Sequence, residues 1–318
     1  MMGALQPKGA SKDDVLGELS GFTSNDINWQ SGKVLTGLYD HGEELHNLSS
    51  EAYLRFLAQN ALHINMYPSI GKIENEVVAS VAEILRADED VVGTMTSGGT
   101  ESIMMAVKTA RDWARENFPR ISEPEMILPV TAHPAFFKAA HYFGLRVVQI
   151  PVELTGYRAD LAAFNKALGP NTIIAVGSAP NYSHGSIDPI TEMAAAAKER
   201  GILFHVDGCV GGIYLSIMRR MGKPVRDFDF SVPGVTSISA DLHKYGYTPK
   251  NASVILYRNR ELRKYAWFVC SSTTLYPVIN PTLQSSRTGG PVAAAWAVLR
   301  FLGEEGFRKI VRDSQEAT

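Results

Sequence analysis

Short runs of β-branched and other apolar residues alternate with helical periodicity along most of the chain. Each run predicts a strand, and the runs are Ile127–Val130, Arg146–Val152, Thr172–Gly177, Ile202–Val206, Val235–Ala240 and Ala252–Tyr257. Between them, Thr100–Phe118 and Ile190–Arg200 repeat apolar residues at the spacing of an amphipathic helix. Strands that alternate with helices favour an α/β fold with a mostly parallel sheet.

This alternation covers only part of the chain, and it suggests three segments. Residues 1–60 lack it and are expected to form an N-terminal arm with a helix around Glu51–Gln59. Residues 61–290 form the large domain. A further helix is predicted over Pro291–Leu302, because Pro favours the first helical turn, so residues 291–318 are expected to begin a connection toward another domain.

Composition narrows the class of protein. With 318 residues, 45% hydrophobic and 20% charged, the chain is typical of a soluble globular protein. Its net charge of −2, with Lys and Arg scattered, argues against a nucleic-acid partner and favours a small-molecule substrate. We find no signal peptide and no apolar stretch long enough for a transmembrane segment, so we expect a cytoplasmic location. Cys209 and Cys270 form neither a disulfide framework nor a metal-ligand spacing, so we expect no metal.

A glycine-rich segment, Ser97-Gly98-Gly99-Thr100-Glu101, directly precedes the long predicted helix. Glycines let backbone N–H groups approach an anion, and a helix N-terminus carries partial positive charge. The segment therefore predicts a phosphate site, with an ordinary N-cap and tight turn as the alternative. It matches neither a Walker A nor a dinucleotide-binding motif.

Two further motifs follow predicted strands. Asp207 lies in the run His205-Val206-Asp207-Gly208-Cys209, directly after the predicted strand Ile202–Val206, where a carboxylate can meet a ligand at the carboxyl edge of the sheet. A helix-capping role for Asp207 is the alternative, and His205 is expected to be a structural histidine. Lys244 follows the strand Val235–Ala240, between His243 and Tyr245, an unusual position for a surface lysine. An amine there suits imine formation with an aldehyde if its pKa is lowered.

The order of these motifs is more specific than any one of them. The chain resembles the sphingosine-1-phosphate lyase family, within the pyridoxal 5′-phosphate (PLP)-dependent group II decarboxylases. The resemblance runs from about Ser31 to Gly306 and rests on SGGTESIMMAVKTARDWA at 97–114, AHPAFFKAAHYFGL at 132–145, HGSIDPI at 184–190, HVDGCVGG at 205–212 and GVTSISADLHKYGYTPK at 234–250.

This resemblance implies a fold and a set of residue roles. The fold would be that of PLP-dependent transferases of type I, similar to aspartate aminotransferase, with a mostly parallel seven-stranded sheet. Lys244 would bind the cofactor covalently, Asp207 would pair with its pyridine nitrogen and His133 would stack on its ring. The phosphate would be held by Gly98, Gly99, Thr100, Ser239 and His243.

The resemblance also implies a homodimer and a substrate site. The segment 286–290 resembles a loop that reaches the neighbouring subunit's active site, and its Thr288 and Gly289 would bind cofactor there. Lys250 would bind substrate phosphate or transfer a proton. His63, Asn181 and Cys209 would lie near the substrate, and Tyr182 is a further catalytic candidate.

Several positions depart from the family pattern. Gly208 replaces the usual Ala, Asn65 replaces Asp, Thr288 replaces Pro, and the segment 270–279 lacks the expected Trp-x-Gly-Gly-x-Tyr sequence. The family continues into a small C-terminal domain and this chain ends before it, so we expect either that the sequence is truncated or that the protein works without that domain.

The resemblance predicts an aldehyde-lyase that cleaves the Cα–Cβ bond of sphingosine-1-phosphate or a related phosphorylated long-chain base. The products would be a fatty aldehyde and phosphoethanolamine, with Lys250, His133, Tyr182 or the substrate phosphate as the base. The alternatives are an amino-acid decarboxylase that uses the same cofactor and a non-catalytic PLP-binding dimer.

Overall fold

The computed structural model describes residues 5–34, 37–40, 42–272 and 277–317. Part of the 270–279 segment, residues 273–276, therefore lies outside the described residues. Contacts divide the chain into two compact units, of which the first ends at Leu38 and the second begins at Tyr39. The first unit holds helix α1 (Lys12–Phe22), which Ser11 caps by accepting a hydrogen bond from the backbone N–H of Asp14.

Among the described residues, the second unit contains the other α-helices and the strands. Its helices are α2 (Glu43–Arg55), α3 (Pro68–Ile84), α4 (Gly99–Asn117), α5 (Ala135–Phe143), α6 (Leu161–Ala167), α7 (Ile190–Glu199), α8 (Gly212–Arg220), α9 (Arg260–Arg263) and α10 (Gly290–Glu316). Its strands are β1 (Val92–Thr96), β2 (Glu125–Pro129), β3 (Arg146–Ile150), β4 (Thr172–Ser178), β5 (Leu203–Asp207), β6 (Ser237–Ala240), β7 (Ser253–Tyr257), β8 (Phe268–Cys270) and β9 (Val278–Asn280).

The main sheet has seven strands in the order β1-β7-β6-β5-β4-β2-β3. The five strands β2 to β6 run parallel to one another. Strand β7 pairs antiparallel with both β6 and β1. A mostly parallel sheet with buried strands is what helices on both faces produce, and every residue of β4 is buried. The predicted α/β fold and its seven-stranded sheet are confirmed.

Strand β1 was not predicted from the sequence. Its five residues, Val-Gly-Thr-Met-Thr, contain one β-branched apolar side chain, so the run is weakly apolar. A Cβ on Gly93 would lie 2.6 Å from the carbonyl oxygen of Ile255, so glycine permits close approach to β7. The register of β1 on β7 thus depends on tertiary contact rather than on local preference.

Helices α2 and α10 pack against each other in the second unit. The contacts group α2 with the sheet, whereas the sequence places it in an N-terminal arm. Gly303 interrupts α10 with a φ of 51°, so the first part of α10 matches the helix predicted over Pro291–Leu302. Within the described residues, no helix combines the length and apolar character needed to cross a bilayer.

Candidate active site

The carboxyl ends of β5 and β6 bring two of the predicted motifs together. These strands are parallel neighbours, with Asp207 opposite Ser239. Asp207 is the last residue of β5, and Lys244 lies four residues beyond the end of β6. In open α/β sheets a ligand crevice forms at this edge, and the glycine segment before α4 reaches the same place.

Lys244 forms an ion pair with Asp241, a carboxylate for which no role was predicted from the sequence. Its Nζ lies 3.0 Å from Oδ2 of Asp241, whose side chain is 1% exposed, and the Lys244 side chain is 22% exposed. Burial has the largest single effect and would lower the pKa of Lys244, but the charge and hydrogen bond of Asp241, together with smaller contributions from other neighbours, outweigh burial, so the pKa is raised. The lowered pKa that imine formation would favour is therefore not found for Lys244, because the pair to Asp241 favours the ammonium form.

Asp207 is the second buried carboxylate at this edge. Its Oδ1 accepts a 3.0 Å hydrogen bond from the backbone N–H of Cys209, and its own carbonyl accepts one from Ala179. Burial raises the pKa of Asp207, while the hydrogen bonds from Cys209 and the charge of Lys244 act in the opposite direction. A buried carboxylate of this kind fits a cationic partner such as a protonated pyridine nitrogen.

The glycine segment packs against neighbours of Lys244 and Asp207, namely Asp241, His243 and Cys209. Gly98 has a φ of 149°, which favours glycine, and a Cβ there would lie 3.3 Å from Cε1 of His243. A Cβ on Gly99 would lie 2.7 Å from Oδ2 of Asp241 and 3.0 Å from Sγ of Cys209. Thr100 is exposed in the first turn of α4, where backbone N–H groups have no intrahelical partner. The segment therefore fits an anion.

His243 places a buried ring nitrogen beside the glycine segment. Its Nε2 lies 3.5 Å from Oδ2 of Asp241, and its Nδ1 is buried with no hydrogen-bond partner within the part of the chain described. Burial lowers the pKa of His243, with smaller contributions from Lys250 and Lys244. An unpartnered buried nitrogen beside Gly98 is suited to a phosphate oxygen. The amine, carboxylate, glycine segment and histidine together fit PLP.

Glu101 fixes the glycine segment, a role that the sequence analysis missed. Its Oε2 accepts from the backbone N–H of Ser97 at 2.6 Å, and its Oε1 accepts from those of Leu283 and Gln284 at 2.8 and 3.1 Å. The spacing Ser97-x-x-x-Glu101 at a helix start was the available signal. The contact of Glu101 with residues 283 and 284 could not be predicted from the sequence, since nearly two hundred residues separate Glu101 from them.

Ser239 and Cys209 form a buried layer with His205. The Ser239 hydroxyl lies 3.2 Å from Nε2 of His205 and accepts from the Cys209 thiol at 3.1 Å, and Ser237 lies 2.9 Å from Nδ1 of His205. Burial lowers the pKa of His205 to about 3 and raises that of Cys209. His205 is thus a structural histidine, and the Ser239 hydroxyl already has partners other than a phosphate.

His133 and Tyr182 form a separate pair. Their rings meet edge to face with centroids 5.3 Å apart, and Nδ1 of His133 accepts from the backbone N–H of Ala135. Tyr182 is 53% exposed. Asn181 is buried and organises its own turn, because its Oδ1 accepts from the backbone N–H of His184 and its Nδ2 donates to the carbonyl of Tyr157. Asn181 thus positions Tyr182.

Lys250 lies in a cluster of tyrosines beyond Lys244. Its Nζ is 5.4 Å from the ring centroid of Tyr39, and Tyr39 packs edge to face on Tyr245 at 5.0 Å. Tyr245 also contacts Tyr214 and Tyr247. Burial lowers the pKa of Lys250, and the charge of Lys244 adds to this effect. The structure thus brings Lys250 into electrostatic contact with Lys244.

The remaining predicted residues lie on the 60–67 turn and the 286–290 loop. His63 is exposed, and its backbone N–H donates to the carbonyl of Asn60. Thr288 donates to the carbonyl of Leu57 at 2.7 Å, and a Cβ on Gly289 would lie 2.4 Å from Cδ1 of Ile70. Thr288 also lines a cavity of about 270 Å³ together with Ser97. In the chain itself, Thr288 and Gly289 therefore contact the segment that follows α2 and the start of α3 rather than Lys244.

Comparison with known proteins identifies related chains. The family model of the pyridoxal-dependent decarboxylase conserved domain matches residues 4–318. The chain is 42% identical over 312 residues to the sphingosine-1-phosphate lyase of Dictyostelium discoideum, an alignment that covers 98% of this chain and 58% of that protein. It is 32% identical to a probable L-aspartate decarboxylase of Pyrococcus abyssi, covering 99% of this chain and 79% of that protein.

A solved structure extends the similarity to three dimensions. The sphingosine-1-phosphate lyase of Burkholderia pseudomallei matches with a TM-score of 0.94 and 38% identity, covering 98% of this chain and 73% of that one. The chain spans a little more than half the length of the Dictyostelium relative.

Proposed function

The chain belongs to the family of pyridoxal-dependent decarboxylases, and on this premise we propose that it is a PLP-dependent aldehyde-lyase. Its substrate would be sphingosine-1-phosphate or a related phosphorylated long-chain base, cleaved between Cα and Cβ to a fatty aldehyde and phosphoethanolamine. The convergence of Lys244, Asp207 and the Gly98–Gly99 segment at one edge of the sheet carries the proposal. The higher identity to relatives named as this lyase favours it over decarboxylation.

The residues that would hold the cofactor follow from the site. Lys244 would bind its aldehyde, and Gly98, Gly99, Thr100 and His243 would bind its phosphate. When bound, PLP supplies an electron sink for negative charge at the substrate's α-carbon. Asp207 would keep a proton on the pyridine nitrogen, because a buried carboxylate is stabilised by an adjacent cation. His133 would cover one face of the ring.

Bond cleavage requires a base for the substrate's C3 hydroxyl. Removal of that proton forms the aldehyde C=O as the Cα–Cβ bond breaks, and the bonding pair stays at the α-carbon, which later takes up a proton. We favour Lys250, because its lowered pKa makes the neutral amine more accessible and because it lies near Lys244. His133, Tyr182 and the substrate phosphate are the alternatives, and binding of the substrate phosphate is the other role open to Lys250.

Decarboxylation of an amino acid is the second candidate. The 32% identical relative named as a probable L-aspartate decarboxylase supports it, since the chain covers 79% of that protein. The same cofactor groups would serve, and carbon dioxide would leave instead of an aldehyde. A non-catalytic PLP-binding protein would keep the cofactor link but turn over neither substrate.

One experiment separates these candidates. The protein is incubated with PLP, reduced with borohydride and mapped by mass spectrometry, and unreduced protein is assayed in parallel with sphingosine-1-phosphate for aldehyde and with L-aspartate for carbon dioxide. A link at Lys244 with aldehyde release supports the lyase, and carbon dioxide release supports the decarboxylase. A link without turnover supports the non-catalytic protein, and a link absent from Lys244 contradicts the assignment of that residue.

We also propose a homodimer with active sites at the subunit interface. Exposed apolar side chains on the α2–α3 segment, namely Leu54, Leu57, Ile64 and Met66, support a partner-binding surface there. Light scattering of the purified protein measures the mass of the assembly, and a mass of two chains supports the dimer. A cytoplasmic location is part of the same proposal, supported by two unpaired cysteines, and cell fractionation tests it.

A further inference from the structure

Asp241 occupies the centre of the candidate site. Its Oδ2 contacts Nζ of Lys244 at 3.0 Å and lies 3.5 Å from Nε2 of His243. Its Oδ1 is buried and has no hydrogen-bond partner among the residues that the structure describes. A buried carboxylate with one oxygen unpartnered is costly unless a cation compensates it. Lys244 is the cation in direct contact.

The glycine segment fixes the direction of this carboxylate. Both oxygens of Asp241 lie within 3 Å of the position that a Cβ on Gly99 would take, at 2.7 and 2.9 Å. Any larger residue at position 99 would displace the carboxylate from Lys244. The structure therefore holds Asp241 between the glycine segment and the lysine.

We infer that Asp241 is the positioning counter-ion of Lys244, which holds the lysine as an ammonium ion and thereby controls when its amine can attack an aldehyde. Attack requires that the ammonium first lose a proton to solvent. The nitrogen lone pair then adds to the aldehyde carbon, and water leaves as the C=N bond forms. A lysine amine released from the cofactor would be neutral, and once it had taken up a proton Asp241 would hold it as the ammonium ion and oppose its return.

Asp207 is the competing partner, and it acts differently. It influences Lys244 electrostatically, whereas Asp241 contributes both charge and a hydrogen bond. Burial opposes the ammonium form, so removal of Asp241 leaves burial dominant and lowers the pKa of Lys244. Removal of Asp207 should have a smaller effect.

The test is the pH dependence of Lys244 reactivity without cofactor. Reductive methylation with formaldehyde and cyanoborohydride is followed across pH, and mass spectrometry reports the midpoint for Lys244 and, as an internal reference, Lys250. In the wild type we expect the Lys244 midpoint above that of Lys250. In Asp241→Asn it should fall by at least about one pH unit, a tenfold gain in neutral amine, and by more than in Asp207→Asn.

Each outcome decides the inference. A wild-type Lys244 midpoint at or below that of Lys250 overturns it, and so does a shift in Asp241→Asn no larger than in Asp207→Asn. Asp241→Ser provides a second variant, and the wild-type comparison decides alone if neither variant folds. The inference rests on the proposed use of Lys244 with an aldehyde cofactor. Borohydride trapping with PLP tests that proposal separately, because it can fail while the midpoints still identify the counter-ion.

Discussion

The ring of Tyr157 stacks on the ring of His184, with centroids 4.2 Å apart and planes 12° from parallel. The carbonyl of Tyr157 accepts from Nδ2 of Asn181, and Asp188 accepts from the backbone N–H of Ala159 at 2.8 Å. The 157–159 segment thus braces the turn that presents Tyr182 to His133. A surface aromatic pair here supports the geometry of the candidate site.

Replacement of Tyr157 by Ala should loosen this turn. Loss of the stacked pair should lower the free energy of unfolding by about 1 kcal/mol, measured by urea denaturation. If Tyr182 contributes to turnover, kcat should also fall, since Tyr182 would no longer hold its place against His133. Tyr157→Phe keeps the ring and is the matched control. Equal free energies of unfolding in the Ala and Phe variants would contradict the brace.

Replacement of Glu101 should weaken cofactor binding without removing any group that contacts the cofactor. Glu101→Gln keeps one acceptor oxygen, so it cannot serve both Ser97 and the 283–284 segment, and Glu101→Ala serves neither. We expect the PLP dissociation constant to rise in the order wild type, Gln, Ala, with about 1 kcal/mol for each buried hydrogen bond lost.

Fluorescence titration with PLP measures that order. Glu192→Gln is the matched control, because Glu192 lies exposed in the first turn of α7. A dissociation constant that is unchanged in Glu101→Ala would show that the glycine segment holds its conformation without the carboxylate.

Replacement of Lys250 separates its two proposed roles. Arg keeps the positive charge, but its guanidinium group stays protonated and therefore cannot accept a proton. Met removes both the charge and the base. If Lys250 transfers the proton, Lys250→Arg should keep KM for sphingosine-1-phosphate and lower kcat by about 10²- to 10⁴-fold. If Lys250 only binds phosphate, Lys250→Arg should keep most of kcat while Lys250→Met raises KM. Steady-state aldehyde formation distinguishes the two results.

The sequence predicted those parts of the fold and site that depend on local pattern. The apolar runs of β4, β5 and β7 and the periodicity of α4 identified the α/β fold, and motif order predicted a site at Asp207 and Lys244, which lie at the same edge of the sheet. Helix α2 was placed too late, at Glu51–Gln59 instead of Glu43–Arg55, because its mostly exposed surface leaves a weak apolar stripe.

The rest depended on orientation, which spacing does not reveal. Asp241 was visible three residues before Lys244, but the segment between them is not helical, so the ion pair could not be read from the interval. The raised pKa of Lys244 therefore could not be predicted from the sequence. Likewise, the contacts of Glu101 with residues 283 and 284 and the arrangement of Tyr39 beside Lys250 arise only when distant segments meet.

The buried imidazole of His205 should make the protein sensitive to acid. Its pKa is about 3 in the folded protein and 6.5 in an unfolded chain, because burial disfavours the charged form. As the pH falls below 6.5, His205 takes up a proton in the unfolded chain but stays neutral in the folded protein. The contribution of His205 to the free energy of unfolding is thus fully present above 6.5 and is lost by about 1.4 kcal/mol for each pH unit down to about 3.

His205→Gln should remove this dependence, although it lowers stability at neutral pH by disturbing Ser237 and Ser239. Urea denaturation at pH 7 and pH 5 should show a loss of stability that is about 2 kcal/mol smaller in the variant than in the wild type. Burial raises the pKa of Asp188 to about 6, which acts with opposite sign over the same range, but Asp188 is present in both proteins and cancels in the comparison. His46→Gln, at an exposed position on α2, is the control and should follow the wild type. Equal pH dependence in His205→Gln and the wild type would mean that His205 binds its proton as readily when folded as when unfolded.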